Sequence, residues 1–266
     1  MNNSSDTHPM AHVVEQGSRG PTLVFLHYYG GSSRTWAPVL AVLPPDLRAI
    51  APDLRGWGAA ARPADGYALG DYADDVEALV AAKGLTDFVL VGHSMGGKIA
   101  QLVASRRPPG LRGVVLVAPA PPTPMALPIE ALQAMAHVYD TRESIEQALA
   151  MALTSRPLSP ALHEQVVADS LAGAPAAKRA WPLGISQEDI GTAVADIQVP
   201  VLVISGSADK VDSTETLRRE LLPRIATARL HVLDGIGHLV PLEAAQAVAA
   251  LVTKFVHDHA TTAANA

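Results

Sequence analysis

The chain has 266 residues, 20 Lys+Arg against 26 Asp+Glu, a formal net charge of −6 and no cysteine. With 48% hydrophobic residues it can bury the core of one large domain or two small ones, which excludes a disordered chain. The absent cysteines exclude a disulfide scaffold, thiolate zinc sites and a cysteine nucleophile, and the acidic balance presents no basic face to a nucleic acid.

The first ten residues, MNNSSDTHPM, are polar and have neither the basic nor the apolar region of a secretory leader. No stretch approaches the roughly 18 apolar residues of a membrane span, so the expectation is a cytoplasmic protein without membrane attachment. Those ten residues and the small, polar end at 257–266 read as frayed termini. Residues 22–27 (TLVFLH) form a continuous apolar run of strand length. Further strands are expected at 48–51, 87–91, 113–117, 201–204 and 228–233. Several are apolar at every position, as strands covered on both faces must be. Helical periods lie between them at 71–83, 95–106, 213–222 and 242–257. Gly84 closes the first, at the position after a helix that favours glycine, and Pro108 and Pro109 close the second. This alternation predicts an α/β fold with a mostly parallel central sheet flanked by helices.

The alternation stops after a proline-rich turn, PAPPTP at 119–124. Helical periods follow at 128–139, 143–153 and 161–171, and no strand pattern returns before Val199. A structureless connection of that length is implausible inside a compact domain, so the segment reads as a helical subdomain. It leaves the carboxyl end of a strand, where open α/β sheets bind ligands, which favours a cap over a pocket rather than extra packing helices. The expected organisation is a core from 1–119 and 198–266, with a cap at 120–197.

The strongest local pattern is Gly92-His93-Ser94-Met95-Gly96-Gly97, a Gly-x-Ser-x-Gly with an apolar strand before it and a helix pattern after it. A strand that turns into a helix within a few residues strains the serine backbone, and side chains two before and two after would clash. The turn lifts the serine hydroxyl to the sheet edge and sets the Met95 amide at a helix N-terminus, where it can stabilise an anion. Ser94 is therefore the candidate nucleophile.

A serine hydroxyl needs a base, and the base an orienting acid. In the chain order of this motif the acid comes next and the histidine last. Asp209 follows strand 201–204 within Gly-Ser-Ala-Asp, and His238 follows strand 228–233 within Gly-Ile-Gly-His. Asp212 competes with Asp209 for the acid; Asp234 reads as a turn residue. Among ten histidines, His231 lies inside a strand run and is expected to pack, His137 and His163 fall in the cap helices, and His93 should point away from the serine hydroxyl. The loop His27-Tyr28-Tyr29-Gly30-Gly31-Ser32, at the carboxyl end of the first strand, can present a second amide to an oxyanion, with Ser32 or Ser33 capping the next helix.

These pieces resemble the α/β-hydrolase fold family, in its capped serine-esterase and non-haem perhydrolase-like branch. The likeness rests on the loop at His27, Asp53-Leu54-Arg55-Gly56-Trp57-Gly58, the elbow at 92–97, 206–209, and Gly237-His238-Leu239-Val240-Pro241-Leu242-Glu243, and spans about 12–257. It implies a helical cap inserted after the family's sixth strand, Ser94 as nucleophile, Asp209 as acid and His238 as base. It also implies an oxyanion hole from the backbone amides of Tyr29 and Met95, and Asp53 and Arg55 holding their loop. Tyr28 stands where this family usually has glycine; its amide is the alternative donor, and its hydroxyl a possible extra one. The implied activity is hydrolysis of carboxylic esters of small to medium acyl groups through an acyl-enzyme, on a small-molecule ester, with no metal or organic cofactor. Cofactor-free perhydrolysis by the same triad, and a hydrolase-derived binding protein with negligible turnover, are the alternatives. A serine at 94 excludes relatives that use an aspartate nucleophile. Ala, Leu and Met in the cap, with Met125, Met135 and Met151, suit an apolar acyl group or serve as core filler. Of eleven aromatics, Tyr28, Tyr29, Trp36 and Trp57 flank the expected site and Tyr139 and Trp181 fall in the cap.

Overall fold

In the computed structural model, residues 12–260 are described; the expectations for 1–11 and 261–266 lie outside them. Seven strands form one sheet in the order β1-β3-β2-β4-β5-β6-β7. They are β1 (Val13–Gln16), β2 (Arg19–Leu26), β3 (Leu47–Pro52), β4 (Phe88–His93), β5 (Leu111–Val117), β6 (Val201–Gly206) and β7 (Ala228–Leu233). All neighbours are parallel except β1, which runs antiparallel to β3. β1 was not expected: its four residues, VVEQ, carry no periodicity and are held by pairing with β3.

The unbroken apolar runs have the expected cause. Along β2 and β4, Val24, Leu26 and Leu90 face one buried cluster, while Leu23, Phe25, Val89 and Val91 face the other. Alternate side chains point to opposite faces, and both faces are covered. The helices are α1 (Ala37–Leu40), α2 (Leu69–Ala82), α3 (Met95–Ser105), α4 (Ile129–Met135), α5 (Arg142–Ala148), α6 (Pro160–Ala172), α7 (Pro175–Leu183), α8 (Thr214–Glu220), α9 (Val240–Glu243) and α10 (Ala245–Ala260). Gly84 follows α2 with φ +58°, the left-handed conformation that ends a helix cheaply in glycine.

Several boundaries differ from expectation. The helix read at 242–257 is two, α9 and α10, broken at Ala244, whose backbone (φ −141°, ψ 44°) is not helical. α10 then runs on to Ala260, so 257–260 is helix rather than frayed end. The period at 143–153 is α5 followed by a π-helical turn, Leu149–Leu153. α7 was not expected. His231 is exposed rather than packed, because β7 is the sheet edge. Among the described residues between β5 and β6 there is no strand, only helices α4 to α7 and shorter turns. No described helix is long and apolar enough to cross a membrane.

Candidate active site

The carboxyl ends of the parallel strands gather the candidate residues on one edge. β4 ends at His93, and Ser94 follows with φ 52° and ψ −113°, a strained non-glycine backbone. The flanking glycines explain how that turn closes. A Cβ on Gly92 would lie 2.3 Å from the Gly96 carbonyl oxygen, and one on Gly96 would lie 2.4 Å from the Leu26 oxygen. Ser94 is 4% exposed. Its Oγ is 2.9 Å from His238 Nε2, and His238 Nδ1 is 2.9 Å from Asp209 Oδ2. A carboxylate only accepts, so Nδ1 carries the proton and Nε2 accepts from the serine hydroxyl. The other Asp209 oxygen, Oδ1, accepts the amides of Val211 at 2.8 Å and Asp212 at 3.1 Å, which fixes the carboxylate plane.

The structure thus brings together Ser94, Asp209 and His238 and separates Asp209 from its competitor. Asp212 has no hydrogen bond to His238; its Oδ2 is buried without a partner. Burial, with Asp209 close by, pushes the Asp212 carboxyl up to about 7, against the opposing pull of His238 and Lys98. Burial by itself would lower the His238 imidazole. The Asp209 charge and hydrogen bond, with Asp212 and Glu243 beyond, outweigh it and hold the ring above its ordinary value. Lys98, one turn after Ser94, is pushed down to about 8 by burial; its Nζ donates to the Thr123 carbonyl at 3.3 Å.

The loop after β2 is fixed carbonyl by carbonyl. The Leu54 amide donates to His27 Nε2 at 3.0 Å, so the proton sits on Nδ1, which donates to the Tyr28 carbonyl at 2.8 Å. The Gly31 amide donates to the same oxygen at 3.0 Å. The Tyr29 carbonyl accepts from the Tyr139 hydroxyl at 2.9 Å and the Gly30 carbonyl from Ser170 at 2.9 Å. In a trans peptide C=O and N–H point in opposite directions, so holding the Tyr28 oxygen aims the Tyr29 N–H the other way. Met95 is the first residue of α3, and its amide has no carbonyl one turn before it. The Tyr28 hydroxyl lies beside Ser170 of α6, and burial raises it well above its ordinary range. Ser32 caps the following turn, accepting from Arg34 N at 3.2 Å.

Asp53 accepts the Ser33 amide at 2.7 Å and the Ala59 amide at 2.8 Å, so it holds its own loop and the neighbouring one. Arg55 makes a two-pronged pair with Asp75 on α2. The helices between β5 and β6 are bolted to this edge. Tyr29 Oη donates to the Lys178 carbonyl at 2.7 Å, Ser32 Oγ to Asp169 at 2.9 Å, and Leu239 N to the Leu153 carbonyl at 2.9 Å. Arg34 pairs with Asp169 as well.

Beside Ser94 and His238 is a cavity of about 150 Å³, lined among others by Tyr28, Tyr29, Tyr139, Trp181, Met125 and Met135. None of its lining residues is Lys, Arg, Asp or Glu. Met151, expected with the other methionines, is 64% exposed and outside it. Wider depressions between β7 and α10 and between α2 and α3 contain none of the three residues. Among the described residues no cluster of three or more His, Asp and Glu is arranged to hold a metal ion.

A buried Ser-His-Asp chain at the strand ends of such a sheet is an arrangement of hydrolases. Residues 23–251 match the model of the alpha/beta hydrolase family, and the chain belongs to that family. It is 27% identical over 263 residues to 2-(acetamidomethylene)succinate hydrolase of Mesorhizobium japonicum, covering 92% of this chain and 90% of that one. It is 28% identical over 250 residues to the bifunctional esterase/perhydrolase DCH of Acinetobacter calcoaceticus, covering 86% and 88%. In fold it resembles the esterase EaEST of Exiguobacterium antarcticum, with a TM-score of 0.85 at 22% identity over 92% of this chain and 95% of that one.

Proposed function

We propose that this hydrolase cleaves carboxylic esters of small to medium apolar acyl groups through an acyl-enzyme. The observation that carries the reading is the chain from Ser94 Oγ through His238 to Asp209, with both links at 2.9 Å. His238 Nε2 takes the Ser94 proton as Oγ attacks the ester carbonyl. Asp209 holds the tautomer and favours the imidazolium that forms. The oxyanion is received by the amides of Tyr29 and Met95, each such donor being worth about 3–4 kcal/mol of barrier. His238 then protonates the departing alcohol. Water, deprotonated by His238, attacks the acyl-enzyme and releases the acid and Ser94. Helices from 120–197 act as a cap that walls the pocket from solvent.

The cavity sets the acyl group. A volume of about 150 Å³ holds a group about the size of a benzene ring. The lining offers no cation to pair with a carboxylate, so a neutral acyl group is favoured over an acid such as the succinate in the Mesorhizobium relative's name. The Acinetobacter relative's name motivates a second reading, in which hydrogen peroxide replaces water on the acyl-enzyme and gives a peracid.

The test is a p-nitrophenyl ester series from acetyl to decanoyl with the wild type and Ser94→Ala, an added peroxide arm, and fluorophosphonate labelling of both proteins. The reading requires Ser94-dependent turnover and labelling. A wild type that neither turns over nor labels overturns it, and labelling without turnover points to a binding protein.

A further inference from the structure

We propose that His93 is a positioning residue for the base, its neutral imidazole holding the backbone carbonyl of His238 and so setting the His238 ring against Ser94. This rests on the roles given to Ser94 and His238 above. His93 ends β4, immediately before Ser94, and is fully buried. Its Nε2 lies 2.8 Å from the His238 carbonyl oxygen, joining residues 145 apart in the chain. A carbonyl only accepts, so the His93 proton is on Nε2, and Nδ1 is a bare acceptor. That Nδ1 is buried and has no partner.

An unpaired buried acceptor is costly, and a phenyl ring would fill the same space without one. The imidazole is therefore explained by the hydrogen bond it makes, not by its packing alone. The packing adds reach. The His93 ring lies 5.1 Å from the Tyr28 ring, 6.2 Å from Trp36 and 5.4 Å from His238, centroid to centroid. One side chain of the elbow thus packs against the loop and turn after β2 and against the base itself.

Neutrality suits this place. Burial, reinforced by His238 and His27 nearby, keeps the His93 imidazole well below its ordinary value. A lysine or arginine donor here would place a permanent charge beside a ring that must itself become positive during the reaction. A neutral N–H holds the carbonyl without that repulsion. The loop is tied on its other side as well, where Leu239 N donates to the Leu153 carbonyl at 2.9 Å. His238 is therefore gripped from β4 by His93 and from the inserted helices one residue later.

The experiment compares His93→Phe and His93→Met, which fill the space without a donor, with His93→Gln, which returns an amide N–H. Each is assayed on p-nitrophenyl butyrate, with active sites titrated by a fluorophosphonate and melting temperatures recorded. The donor-less variants should lose about tenfold to a hundredfold in kcat per titrated site, with KM within about twofold, and Gln should recover most of the loss. A structural role alone would lower the melting temperature and leave kcat per titrated site unchanged. Met serves where Phe does not fold. An active wild type matched by its donor-less variants, or a Gln variant no better than Phe, overturns this inference alone. A wild type that neither turns over nor labels overturns the underlying roles, and this one with them.

Discussion

His27 Nδ1 and the Tyr28 carbonyl oxygen are 2.8 Å apart, and the Leu54 amide on Nε2 fixes which nitrogen donates. The bond orients a peptide rather than a side chain, and that peptide carries the Tyr29 N–H proposed to receive the oxyanion. Removing it leaves the Tyr28 carbonyl on the Gly31 amide alone and loosens the peptide. His27→Phe is therefore expected to lower kcat about tenfold to a thousandfold, the upper end being the loss of one oxyanion donor, with KM changed far less. Steady-state kinetics on a short aryl ester check it; an unchanged kcat would mean that the Gly31 amide alone holds the peptide and that His27 does not aim the Tyr29 N–H.

The neighbouring carboxyls should separate in kinetics. Asp209→Asn leaves the His238 tautomer wrong and is expected to cost about 10³–10⁴ in kcat. Asp212→Asn should stay within about tenfold of wild type, because Asp212 makes no hydrogen bond to His238. The pH profile adds a sign. His238 must be neutral to accept the serine proton, so activity is lost as pH falls through its pKa, which lies above 6.5 because Asp209, Asp212 and Glu243 outweigh burial. Asp212 is itself protonated below about 7, so Asp212→Asn should leave that limb nearly in place, with any movement towards lower pH. An upward shift, or equal losses in both variants, would contradict the assignment.

Much of this edge is legible in the sequence for physical reasons. Strands buried on both faces must be apolar throughout, and a nucleophile turn cannot close unless Gly92 and Gly96 lack side chains. What escapes is what only the fold creates. β1 has no pattern of its own. α7 carries a proline near each end, yet Pro175 sits in the first turn, where its missing N–H is no loss, and Pro182 is the next-to-last residue. His27 and His93 look like spare histidines, because the carbonyl that explains each is set by backbone conformation or lies more than a hundred residues away. The Tyr28 hydroxyl is drawn to Ser170, which no spacing in the sequence reveals.

Asp212 should also be visible in stability. Its carboxyl is raised from 3.8 to about 7 by burial, so the folded state holds a proton that the unfolded chain releases. Stability from this group is complete below pH 3.8 and falls as pH rises towards 7. A neutral Asp212→Asn side chain escapes that loss. The variant's gain in stability, read from its melting temperature, should therefore grow from about pH 4 to 7 and level off above, with a ceiling near 4 kcal/mol at about 1.4 kcal/mol per pKa unit. Thermal melts across that range decide it, and a gain that is flat or shrinks with pH would mean that Asp212 is ionised in the fold.

One aromatic lining residue of the cavity makes the last prediction. Trp181, on α7 and 3% exposed, faces Tyr29 with ring centroids 6.3 Å apart and lines the space beside Ser94. A cavity of about 150 Å³ accepts a short acyl chain and rejects a long one unless the wall yields. The wild type should therefore prefer acetyl to hexanoyl esters and lose kcat/KM sharply by decanoyl. Trp181→Leu should extend that range, because each methylene admitted to an apolar pocket is worth about 1–3 kcal/mol. The ratio of decanoyl to butyryl kcat/KM should rise at least about tenfold. Leu is the better substitution than Ala, since emptying a buried Trp site entirely costs about 3–5 kcal/mol of stability. If the ratio is unchanged while Ser94 labelling remains normal, the acyl chain does not run along Trp181, and the cavity holds the alcohol side of the ester instead.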